Sequence, residues 1–293
     1  MVRNDLSFSV QPPDYEWLSG MVFGLKNCKK FKIFSIGRTV LGRNIYAVGI
    51  GKLRSGILMV GGVHALEWMT TLLLVRFCFD LSKKNETLNI LEDRGIIIIP
   101  CLNIDGTEIV INGPESAKEM EYCVRKISKN DLSNWQANVN GVDLNHNFDA
   151  GFETLKRMEQ KMGITSPAPS RYGGVCPFSE PETKSLETIC KLFDIQNAYA
   201  FHSQGEEIFY QYGKHTPARS RLMAEILSES SGYKISTQEG LASHGGFKDW
   251  FIDKLHRPAF TFEIGKGKNP LPISDFDGIY NRLESTLYLA LTL

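Results

Sequence analysis

The chain has 293 residues, 42% of them apolar, which is long enough to bury a sizeable core around one large sheet. Lys+Arg and Asp+Glu both number 33, so the net charge is near zero. That balance excludes the basic profile of a nucleic-acid binder and of a polybasic membrane anchor.

In chain order, residues 1–17 carry no apolar run of the signal-peptide kind and read as an N-terminal lead segment. Residues 44–50 (NIYAVGI) read as a strand, and 56–62 (GILMVGG) as a short buried one. A helix is expected over 69–82. The apolar stretch 56–81 is broken by His64, Glu67, Arg76 and Asp80, so it is no membrane span. Residues 95–103 (GIIIIPCLN) are β-branched and read as another buried strand. A helix end falls near 158–161. Residues 163–181 are rich in Gly, Pro and Ser and read as a loop. Pro181 can open a helix to 193. Residues 197–203 (NAYAFHS) are a strand ending in polar residues. A helix over 216–231, a strand over 259–265 and a last helix over 279–291 complete the chain.

Strands alternate with helices and several lack period-2 polarity. This implies an α/β fold with a mostly parallel or mixed sheet covered on both faces. No linker or repeat divides the chain, so one domain is expected over 1–293. Six cysteines lack any C-x-x-C pair, and three sit in apolar segments; free thiols in a reducing compartment are expected. The localisation that follows is cytoplasmic, without membrane or nucleic-acid partners. The oligomeric state stays open.

In sheets of this kind ligands collect at the carboxyl ends of strands. His64 and Glu67 follow the strand 56–62, where His-x-x-Glu can converge from a turn on a metal. Alone, such a pair is more often a satisfied polar contact at a helix start. His202, at the end of 197–203, is the candidate third ligand. His215, His244 and His256 rival it, but none ends a buried strand. A His₂Glu set suits one zinc ion and leaves a fourth position for water. Glu263 lies between Phe262 and Ile264 in a strand, where a carboxylate is costly unless it is paired. It is either one half of a salt bridge or the general base beside that water.

Seven ordered blocks then resemble the zinc carboxypeptidase family. HALEWMT (64–70) resembles its His-x-x-Glu-Trp-x-Thr signature, and NIDG (103–106) its Asn-Pro-Asp-Gly. GVDLNHNF (141–148), FSEPET (178–183), FHS (201–203), GGFKDW (245–250) and TFEIG (261–265) match in turn. The resemblance implies a mixed eight-stranded sheet flanked by helices, one zinc ion and peptide hydrolysis. It makes Asp143 the partner that orients a zinc histidine, plausibly His64.

Departures fall on the substrate clamp. The family's Asn-Arg-Asn is here Asn145-His146-Asn147, and an imidazole does not replace a bidentate guanidinium. Leu66 stands for an Arg between the ligands, and Leu241 for a mobile Tyr. Gln136 lies near the place of a carbonyl-polarising Arg. Lys248 takes the pocket-lining position, where an ammonium could pair with a substrate carboxylate; the bland reading is a solvated lysine. The blocks resemble most the bacterial branch that cuts γ-D-glutamyl–diaminopimelate bonds in murein peptides. A broad C-terminal carboxypeptidase, and a non-catalytic zinc- or peptide-binding module, are the alternatives.

Overall fold

The computed structural model describes residues 8–237 and 240–293. Its centre is a mixed sheet of eight strands: β1 (Phe31–Arg38), β2 (Asn44–Ile50), β3 (Ile57–Val60), β4 (Ile96–Ile99), β5 (Asn197–His202), β6 (Glu207–Phe209), β7 (Lys234–Ile235) and β8 (Ala259–Glu263). The spatial order is β1-β2-β4-β3-β5-β8-β6-β7. The inner strands β4, β3, β5 and β8 run parallel; β1 and β2 are antiparallel at one side, and β6 pairs antiparallel to β8.

β3 and β4 are apolar at every position, and β5 and β8 over most of their length, because both faces of the sheet are covered. Met59, Ile96, Ile98, Tyr199, Phe201, Phe260 and Phe262 join one core cluster. Leu58, Val60, Ile97, Ile99, Ala198, Ala200 and Ala259 join a second. The alternation follows the period of two that a pleated strand imposes.

Among the described residues ten helices flank the sheet: α1 (Tyr15–Gly24), α2 (Met69–Lys83), α3 (Asn85–Asp93), α4 (Ile104–Asn112), α5 (Glu121–Ser128), α6 (Phe152–Lys161), α7 (Pro181–Leu192), α8 (Arg219–Ser231), α9 (Phe247–Leu255) and α10 (Phe276–Ala290). The first core cluster takes side chains from α1, α2, α8 and α10, the second from α7 and α9. The helix expected over 69–82 runs to Lys83, and that expected over 279–291 begins earlier, at Phe276. Of the expected lead segment 1–17, residues 1–7 lie outside the described residues. Its last part is corrected: Asp14 caps α1 through the Trp17 amide at 2.8 Å, and Trp17 is buried in the core. All six cysteines are free, three of them buried. Among the described residues no helix is long and apolar enough to cross a membrane.

Candidate metal centre and adjoining cavities

Three strand ends build the site. β3 ends at Val60, and the chain turns through Gly62 into a short helical turn at Ala65–Glu67. Gly62 sits at φ +57°, and a Cβ there would lie 2.7 Å from Cys101 Sγ, so the turn needs glycine. Thr70 holds the turn closed: its hydroxyl donates to Glu67 O at 2.7 Å and accepts from the Gly62 amide at 2.8 Å. The parallel pairing of β5 with β8 sets His202 beside Glu263.

His64, Glu67 and His202 come together as this geometry demands, each offering a ligand atom within 4.8 Å of the others. His64 Nδ1 lies 2.8 Å from Glu67 Oε1, and His202 Nδ1 lies 3.0 Å from Glu67 Oε2. The two Nδ1 atoms face each other at 3.3 Å. Two imidazole lone pairs and a carboxylate aimed at one point are a cation site, with the donor set that zinc takes. His64 Nε2 meets Asp143 Oδ1 at 3.1 Å, which fixes the tautomer that turns Nδ1 inward.

The electrostatics agree with this arrangement. Burial alone would raise the Glu67 carboxyl, but the His64 and His202 imidazoles hold it down at about 2. Burial would lower His64, but Glu67 and Asp143 drive it well above the ordinary imidazole value. Asp143 is held well below the usual carboxylate range despite its burial, by His146, His64 and the Arg171 amide. Glu263 goes the other way: burial, then the Glu67 carboxylate, push it well above the ordinary range.

Two cavities meet at the site. One, of about 610 Å³, is bordered by His64, Glu67, Ser203, Glu207 and Glu263. The other, of about 580 Å³, is bordered by His64, Asn145, His146, Arg171, Leu241 and Glu263; Gln136 borders both. Asn145 Oδ1 accepts the Phe247 amide at 3.1 Å. His146 is buried, and its Nδ1 has no hydrogen-bond partner. Its carbonyl passes so close to Gly245 (φ +76°) that a Cβ there would lie 2.6 Å away.

Lys248 departs from the expectation of an ammonium free to face the metal. It lies in the first turn of α9 and is only 3% exposed. Its Nζ donates to Gln211 O at 2.8 Å and pairs with Asp249. The charge is spent on a neighbouring carboxylate, and Asp249, not Lys248, borders a nearby cavity of about 420 Å³. Arg171 is the residue that sequence reasoning missed. It sits in the loop 163–181, whose composition said only that it was a loop; the one signal was an arginine two residues before Gly173-Gly174.

A family model described as zinc carboxypeptidase matches residues 25–282. The chain belongs to this zinc metallopeptidase family, whose members use one zinc ion. It is 36% identical over 257 residues to gamma-D-glutamyl-L-diamino acid endopeptidase 1 of Lysinibacillus sphaericus, covering 84% of this chain. The chain spans 63% of that relative's length. Among solved structures it resembles carboxypeptidase A from Helicoverpa armigera, with a TM-score of 0.69 at 20% identity over 98% of this chain and 73% of the other. It also resembles murein-tripeptide amidase MpaA from Escherichia coli O157, with a TM-score of 0.53 at 21% identity over 88% and 91%. At these identities the two structures speak for the fold.

Proposed function

We propose that the chain is a zinc peptidase in which His64, Glu67 and His202 hold the metal and Glu263 is the general base. Its substrate is then the γ-D-glutamyl–meso-diaminopimelate bond of murein peptides. The observation that carries the chemistry is Glu263 at the end of β8, beside His202 and bordering the same cavities as His64. A bound zinc supplies a Lewis acid and lowers the pKa of a coordinated water to about 7. Glu263 takes the proton of the attacking water and passes it to the leaving amine. Asp143 keeps the His64 ring turned toward the metal. Gln136 and Asn145 offer amides to the substrate, and His146 takes a polar group where a guanidinium would demand a free α-carboxylate.

The substrate assignment is supported by the 36% identical relative, whose name gives a γ-D-glutamyl–L-diamino acid bond, and by the replaced clamp at His146. A broad C-terminal carboxypeptidase is the second reading, since carboxypeptidases such as human carboxypeptidase B share 27% identity over 78% of this chain. Hydrolysis of L-Ala-γ-D-Glu-diaminopimelate against a blocked α-linked dipeptide separates the two. The γ-linked peptide should be cut and the α-linked one spared. Glu263→Gln should bind zinc normally and lose about 10²–10⁴-fold in kcat. Cleavage of the α-linked dipeptide alone would remove the murein reading, and wild-type kcat in zinc-loaded Glu263→Gln would remove the base.

A further inference from the structure

A third cavity, of about 450 Å³, adjoins the metal site, bordered by Leu66, Asn134, Gln136, Arg171, Lys268 and Asn269 among others. It shares Gln136 and Arg171 with the cavity that holds Asn145 and His146, but not those two residues. It therefore extends past Gln136, away from the Asn145–His146 position. Among the described residues two cations border it and no carboxylate does. Among the described residues no side-chain ion pair is formed by the Arg171 guanidinium, and the Lys268 ammonium acts at longer range on the Asp131 carboxylate.

Backbone bonds fix this wall. The Arg171 amide donates to Asp143 Oδ2 at 2.8 Å, while Oδ1 of the same carboxylate meets His64 Nε2. Pro169 O accepts from the Gln136 and Ala137 amides at 2.8 and 3.0 Å, and Gln136 O accepts from the Ala65 amide at 3.1 Å. Arg171 is thus tied on both sides to the turn that carries His64 and Glu67. It holds a left-handed backbone (φ +66°), which a non-glycine residue keeps only where its surroundings impose it.

We propose that this cavity is the acyl-side subsite and that Arg171, aided by Lys268, binds there the free α-carboxylate of a γ-linked glutamyl residue. An α-linked residue consumes that carboxylate in its peptide bond. A γ-linked one keeps it on a short carbon chain beside the scissile carbonyl. A guanidinium meets a carboxylate bidentately and is not neutralised at working pH. Leu66 and Gln136 leave room for the group without charge of their own. The inference rests on the γ-glutamyl reading of the substrate.

The test uses the zinc-loaded chain and two peptides, L-Ala-γ-D-Glu-diaminopimelate and the same peptide with the glutamyl α-carboxylate amidated. The quantity read is the ratio of kcat/KM for acid over amide. Wild type should favour the acid by about ten- to a hundredfold, the range of a charged hydrogen bond. Arg171→Gln should bring the ratio close to one, and Arg171→Lys should restore part of it. Lys268→Gln, an exposed site whose loss leaves the fold intact, should lower the ratio by a smaller factor. An unchanged ratio in both Gln variants, or a wild-type ratio near one, overturns the subsite and leaves the substrate reading standing. Wild type that cuts neither γ-linked peptide but does cut an α-linked one removes both.

Discussion

The expected substrate-binding residues, together with Arg171, divide into those that border open space and one that does not. Asn145, His146, Gln136 and Arg171 border the cavity that contains His64 and Glu263, whereas Lys248 is locked to Asp249 and Gln211 O in the interior. A buried pair is costly to break, because removing one partner strands the other charge away from water. Lys248→Met should therefore destabilise the fold by about 3–5 kcal/mol, and adding Asp249→Asn should recover most of that loss. Urea unfolding of the single and double variants reads both values; a single-variant loss under about 1 kcal/mol would show the pair to be water-exposed in solution. This also explains why Lys248 was misread from sequence. Its position beside the Gly-Gly-x-x-Asp-Trp block was legible, but a one-dimensional pattern does not say whether a lysine at a helix start turns outward or folds back on the aspartate next to it. The metal set was legible because His64 and His202 follow recognisable apolar runs and Glu67 stands three residues after His64.

At the scale of elements, the same strand ends that gather the ligands also require the loops between them to be pinned, and the start of α7 does part of this. Asn147 there accepts the Glu180 amide and the Thr183 hydroxyl and donates to Gly173 O, tying α7 to the segment that carries Asn145 and His146. Glu182, in the first turn, is fully buried, and its Oε1 has no partner. Burial, with the Asp105 and Glu180 carboxylates, pushes its carboxyl from the ordinary 4.5 up to about 8, against the bond from Asn138. The folded state therefore disfavours the ionised form. Below about pH 4.5 Glu182 is protonated in both states and costs nothing. From there to about pH 8 only the unfolded state ionises, so its contribution to stability falls as pH rises. Glu182→Gln should remove that slope, raising Tm over wild type by more at pH 8 than at pH 5. Parallel Tm–pH curves for the two proteins would mean that Glu182 is ionised in the folded state. The helix itself was read from sequence to within a residue, because Pro181 marks its start. β1, β6, β7, α1, α3, α4 and α5 escaped: β6 and β7 span three and two residues, and β1 alternates polar residues on a half-exposed edge.

For the whole molecule, the α/β class followed from apolar runs that only a doubly covered sheet can bury, and the strand count followed from the family resemblance. The crossing order was not legible, because β5 and β8 meet across segments that hold α8, β6, β7 and α9, and no local pattern records that pairing. The parallel pairing of β3 with β5 makes the metal centre a clasp. His64 and Glu67 come from the β3–α2 turn, and His202 from β5, so a cation there bridges segments far apart in sequence. A metal that binds the folded chain and not the unfolded one stabilises it by mass action, by about 4 kcal/mol at a thousandfold excess over Kd. For a chain of 293 residues that amounts to a rise in Tm of about 7 °C. One zinc per chain should bind, and chelation should reverse the rise. The unfolded chain also carries six cysteines that attract zinc, which would shrink the effect without abolishing it. His202→Ala keeps all six and removes one ligand, so its Tm should respond to zinc weakly. If zinc raises the Tm of His202→Ala as much as that of wild type, the metal is held elsewhere and the clasp is wrong.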